Sequence, residues 1–84
     1  MKPLQIEGMR ALADARAIKY VCITIEANNR CNIEVNGELF VANRAGRRRY
    51  YAKVDTCINW LRGFLFVAKC DKVDVIFDYS ITKR

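Results

Sequence analysis

Apolar and polar residues follow two different periods along this chain, and the change from one to the other lays out its elements. Over residues 3–16, Ile6, Met9 and Ala13, with Leu12 beside them, recur at helical spacing, while Glu7, Arg10, Asp14 and Arg16 fall mainly elsewhere. Pro3 suits a first-turn position, where a missing N–H costs nothing. The period then drops to two. From Ile18 to Glu26, Val21, Ile23 and Ile25 share one face and Tyr20, Cys22 and Thr24 the other. Asn28-Asn29 predicts a turn. Arg30 to Val35 predicts a second strand, with Cys31, Ile33 and Val35 facing in and Asn32 and Glu34 facing out. Asn36-Gly37 is the strongest local signal, because both residues tolerate the positive φ of a type I′ hairpin turn.

Glu38 to Arg44 then reads as a third strand, Ala45-Gly46 as another reversal, and Arg47 to Ala52 as a fourth strand. The helical period returns after Lys53, where Val54, Ile58 and Leu61 form a stripe widened by Cys57 and Phe64. Asp55 near its start matches the helix dipole. Gly63 is the expected stop, as a C′ glycine; the alternative carries the helix through Val67 to Asp71-Lys72. Val73 to Tyr79 alternates again and closes the pattern as a last strand, followed by a short basic tail from Ser80 to Arg84. The predicted fold is therefore α+β: a helix, a four-stranded antiparallel meander, a helix and a final strand, packed as a two-layer sandwich.

Eighty-four residues bound this to a single domain, 1–84, and 52% hydrophobic content is enough for one core without staples. At this size a homodimer that buries more apolar surface is a further expectation. The N-terminus lacks the apolar stretch of a signal peptide, and the run Phe64 to Ala68 is too short to cross a bilayer, so no membrane partner and a cytoplasmic location are expected. The four cysteines, Cys22, Cys31, Cys57 and Cys70, form no CxxC pair, and the chain has no His. They read as small buried hydrophobes, with no metal site and no cofactor expected.

Charge sharpens the picture. Arg44 to Arg62 holds six of the fifteen basic residues and one of the nine acidic ones, and so +5 of the net +6. It also holds the only Trp and two of the four Tyr. Arg44, Arg47, Arg48, Arg49 and Lys53, with Tyr50 and Tyr51 between them and Arg62 further on, are the candidate binding residues. Arginine and lysine neutralise phosphate, and tyrosine stacks or hydrogen-bonds beside it. The bland alternative is a soluble hairpin tip that guards a sheet edge. Strand alternation places Arg47, Arg49 and Tyr51 on one face and Arg48 and Tyr50 on the other. Trp60 reads as a core-edge residue or as a partner anchor. Without His there is no ready base near neutral pH, and Asp71, Asp74 and Asp78, interleaved with Lys72, read as a solvated edge; no catalytic residue is expected.

Two stretches resemble the ParC-like partition-associated proteins, small proteins carried on plasmids and integrative elements. Met9 to Ile18 is similar to that group's opening helix and its exit into a strand. Arg47 to Leu61 is similar to its basic strand and following apolar helix, and Val73 to Phe77 to its closing strand. The chain departs from the group at Asn28 to Arg30, which lacks a Gly-rich stretch, and at Phe64 to Lys72, which is longer than the usual link. The resemblance implies an accessory part in plasmid maintenance or DNA partition, without catalysis and without site residues to transfer. Together these readings predict a non-enzymatic protein of a mobile element that meets DNA or RNA backbone. The second reading is a protein-binding inhibitor or adaptor, of the anti-defence kind, whose arginines meet an acidic protein surface.

Overall fold

A computed structural model of the chain describes residues 1–80. Its elements run β1 (Lys2–Leu4), α1 (Ile6–Asp14), β2 (Val21–Glu26), β3 (Cys31–Val35), β4 (Leu39–Val41), α2 (Val54–Ala68) and β5 (Val73–Asp78). The strands form one mixed sheet in the order β1-β4-β3-β2-β5. β2 pairs with β3 and β3 with β4 antiparallel, while the outer strands β1 and β5 add in parallel to β4 and β2. The α+β class stands, but the four-stranded meander does not.

The core lies between the sheet and the two helices. Val21, Ile23, Cys31, Ile33 and Val35 from the central strands meet Met9 and Ala13 of α1 and Cys57, Leu61 and Ala68 of α2. The expected inward faces of β2 and β3 are the ones that bury. The opposite face differs from a wet one. Asn32 points away from the helices yet is 4% exposed, because Arg48 lies across it and donates to its Oδ1 at 3.0 Å.

Four expectations are corrected. Lys2–Leu4 is an edge strand, so the first helix starts at Ile6 and not at Pro3. Lys2 N donates to Glu38 O and Ala42 N to Leu4 O, so the backbone of Lys2 and Leu4 faces β4. Pro3, which has no N–H to give, faces the free edge, a position where proline is tolerated. The third strand shrinks to Leu39–Val41, and Arg47 to Ala52 forms no strand: the chain returns through two isolated bridges, Ala42 with Arg48 and Cys31 with Tyr51. The second helix passes Gly63 and ends at Ala68, where Lys69 adopts the left-handed conformation at φ 56°. A Cβ at Gly63 would meet nothing within 4 Å. Gly63 is therefore a solvent-side helical residue, and Leu61, Phe64 and Leu65 around it keep the helix on the core. Of the tail, Ile81 to Arg84 lie outside the described residues.

Two hairpin signals fold as read. Asn36 and Gly37 sit at φ 58° and 71° between β3 and β4. Asn29 sits at φ 70° between β2 and β3, where Glu26 and Arg30 close the turn.

Burial governs the thiols. Cys57 is fully buried and its pKa is pushed up to about 12, first by desolvation and then by Cys31; the Cys31 thiol is raised by burial too. A raised folded pKa gives stability that is complete below the unfolded thiol's value and fades as pH climbs towards the folded one. The melting temperature is therefore expected to hold from pH 7 to about 8.5, the range below an ordinary thiol's pKa, and to fall above it. Over the same range an alkylating reagent should label Cys70, which is only partly buried, ahead of Cys31 and Cys57. Equal labelling of the three in the folded protein would contradict this core.

Candidate nucleic-acid interface

The basic loop between β4 and α2 is built by asparagine and glutamine side chains. Asn43 Oδ1 accepts from Ala45 N at 2.9 Å and Arg47 N at 3.1 Å, while its own backbone N–H donates to Arg47 O. Gly46, at φ 81°, completes the reversal. From α1's end of the sheet, Gln5 Nε2 donates to Asn43 O at 3.1 Å and Arg44 O at 3.0 Å. Because Gln5 spends its side chain there, it makes no capping bond to the helix it precedes. The first N–H groups of α1, which have no intrahelical partner in any helix, thus gain no side-chain cap from Gln5, and a partial positive charge sits at that end.

These pieces enclose a cleft of about 510 Å³ lined by Gln5, Ile6, Glu7, Asn43, Arg44 and Arg49. Arg44 and Arg49 supply two full positive charges and the start of α1 a fraction of another; Glu7 is the carboxylate in the lining. Arg49 lies over the Tyr51 ring, 4.9 Å from its centroid, and 5.9 Å from that of Trp60. Trp60 in turn packs against Phe64 at 4.8 Å and Tyr51 at 6.2 Å, at the edge of the core. This aromatic shelf holds the guanidinium without neutralising it. Tyr51 itself is buried, and its hydroxyl has no hydrogen-bond partner among the described residues. Desolvation raises the Tyr51 phenol, and the nearby Arg49 charge pulls it partly back.

Arg48 to Tyr51 divide across the sheet as strand alternation foretells, even though no strand forms. Arg49 and Tyr51 face the helices. Arg48 and Tyr50 line a concavity on the open face with Thr24, Glu26, Asn32 and Glu34. Arg48 is also spent there. It forms an ion pair with Glu34 at 3.0 Å, bonds Asn32, and lies over Phe40 at 4.7 Å. Among the described residues no ion pair joins Arg44, Arg47, Arg49 or Lys53 to a carboxylate, and all four are exposed. Arg62 stands apart from them, lining a groove with Leu65, Phe66 and Lys69.

So the eight candidates do not converge. Arg44 and Arg49 come together, Arg47 and Lys53 stay exposed on the same loop, Tyr51 serves as a platform, Arg48 is structural, and Tyr50 and Arg62 lie elsewhere. Tyr50 is covered by Arg30, 3.9 Å from its centroid, an arginine that sequence reasoning passed over. It also passed over Gln5 and Asn43. For Asn43 a signal exists, since an Asn three residues before a Gly is a turn-forming pair; for Gln5 nothing in the sequence marks a contact so far along the chain. No helix among the described residues is long and apolar enough to cross a membrane. Set against protein-family models, curated proteins and solved structures, the chain has no significant match to any of them.

Proposed function

We propose that this chain is a non-enzymatic binding protein that takes hold of nucleic-acid phosphate backbone through Arg44, Arg47, Arg49 and Lys53. The observation that carries the reading is the Arg44–Arg49 cleft. Arg44, Arg49 and the uncapped start of α1 line one concavity, with Glu7 as the carboxylate in its lining, and the Arg49 guanidinium is propped on Tyr51 and Trp60 rather than spent on a carboxylate. Oriented N–H groups and unspent arginines are what a phosphate oxygen accepts from. The mode is backbone contact without sequence reading, because α2 buries its apolar stripe and is not free to lie in a groove. A place among the accessory proteins of a mobile element belongs to the same proposal, on the strength of the family resemblance.

The test is a binding titration of a labelled random duplex and a labelled single strand over a salt series. Contacts to phosphate by four cations give a log–log slope of about −3 to −4 on duplex, so affinity drops roughly a hundredfold between 50 and 200 mM salt. Absence of binding to both strands at 50 mM salt overturns the proposal. Saturable binding to polyglutamate instead would transfer the same four side chains to an acidic protein surface.

A further inference from the structure

We propose that a second copy of this chain docks along β5, joining the two sheets edge to edge about a twofold axis. The two sheet edges are unlike. The β1 edge is three residues long and carries Pro3, which gives it no donor at its centre. The β5 edge is six residues long, holds no proline, and is the outermost strand of the described sheet. β5 is also parallel to its neighbour, an arrangement normally covered on both faces, yet Val75 is 48% and Phe77 61% exposed.

The register follows from the strand's own residues. Val21 N donates to Lys72 O, and Val21, Ile23 and Ile25 pair with Val73, Val75 and Phe77. In such a parallel ladder the N–H and C=O groups of Val73, Val75 and Phe77 turn outward to the free edge. An antiparallel partner centred on Val75 uses all of them, with Val75 opposite Val75 and Val73 opposite Phe77 of the second copy. On the other face the same register sets Asp74 against Ile76 and Lys72 against Asp78. The two neighbouring registers that keep the faces matched oppose carboxylates instead, either Asp74 with Asp74 or Asp74 with Asp78. Charge complementarity therefore selects the Val75-centred pairing.

The helix side fits the same arrangement. Phe77, near the end of β5, is 61% exposed and stacks on Tyr79 at 6.3 Å. In the chosen register Phe77 falls opposite Val73 of the other copy, next to Asp71 and Cys70. There a groove of about 500 Å³ runs along Leu65, Phe66 and Cys70, with Arg62, Lys69 and Asp71 also in its lining. The Phe77 ring of each copy enters the groove of the other, which is the self-complementary contact a twofold axis requires. β5 is separated from β4 by β3 and β2, and although Arg48 and Tyr50 share the open-face concavity with Ile76 and Asp78, no β5 residue lines the Arg44–Arg49 cleft, so that cleft stays open in the dimer.

Light scattering on the full chain at about 100 μM, a concentration well above a micromolar dissociation constant, is expected to give twice the 9.7 kDa chain mass. Phe77→Arg should give the single-chain mass with an unchanged circular dichroism spectrum. Lys72→Asp and Asp78→Lys should each weaken the dimer about tenfold by setting like charges opposite one another, and mixing the two variants should restore it. A single-chain mass for the wild type, or single variants that dimerise as tightly as wild type, would overturn the proposal.

Discussion

Asn36→Ala is expected to destabilise the fold by about 2–4 kcal/mol, the largest stability loss from any single polar side chain here. Asn36 is more than a turn residue. Its Oδ1 accepts from Lys19 N at 2.7 Å and Tyr20 N at 3.2 Å, and its Nδ2 donates to Ala17 O at 2.9 Å. One side chain thus ties the β3–β4 turn to the chain that leads from α1 into β2. Each such bond contributes about 1 kcal/mol, and alanine at φ 58° adds roughly another, because its Cβ crowds the carbonyl that asparagine tolerates. Against a total stability of about 5–10 kcal/mol for a domain of this size, the melting temperature should fall by roughly 10–20 °C. Asn36→Gly separates the two causes, since it relieves the backbone and still loses the bonds. Urea unfolding of the three proteins measures this. An alanine variant within about 0.5 kcal/mol of wild type, the range of an ordinary surface change, would show that Asn36 does not brace this junction.

The second large effect concerns binding. Arg44→Gln/Arg49→Gln is expected to lower duplex affinity about thirtyfold to a hundredfold at 50 mM salt and to flatten the salt slope by about 2, one for each phosphate no longer neutralised. Stability should stay near wild type, because both side chains are exposed and neither joins an ion pair among the described residues. Arg48→Gln should do the opposite. It removes the ion pair to Glu34 and leaves the buried Asn32 carbonyl oxygen without its donor, a cost of about 1–3 kcal/mol. It should leave the salt slope where it was. The contrast between adjacent arginines is informative because the sequence treats Arg47, Arg48 and Arg49 as one run.

That contrast also marks where the sequence was legible. Local signals carried well: Asn36-Gly37 and Asn28-Asn29 turn where their φ preferences say, and the inward faces of β2 and β3 follow from alternation. So did the division of Arg48 and Tyr50 from Arg49 and Tyr51, since alternation persists in an extended chain that forms no ladder. Long-range pairing did not carry. β1 joins β4 and β5 joins β2 across the chain, and nothing in Lys2–Leu4 or Val73–Asp78 names its partner. Pro3 fits both a first helical turn and a free edge, so its position alone could not decide. Gly63 fits both a helix end and a solvent-side helical position, and only the packing of Leu65 and Ala68 beyond it decides for the longer helix. The site was half legible for the same reason. Charge located the loop, whereas Glu34's claim on Arg48 and Gln5's hold on Asn43 and Arg44 come from contacts between distant segments.

Backbone amide shift mapping with a short random duplex addresses the binding surface itself. The phosphate-binding reading predicts that shifts concentrate on Gln5 to Gly8, on Asn43 to Lys53 and on the Trp60 indole, while β5 and the open-face residues Thr24 and Ile76 stay still. Shifts centred on β5 or on the open face, with the Arg44–Arg49 cleft silent, would contradict it.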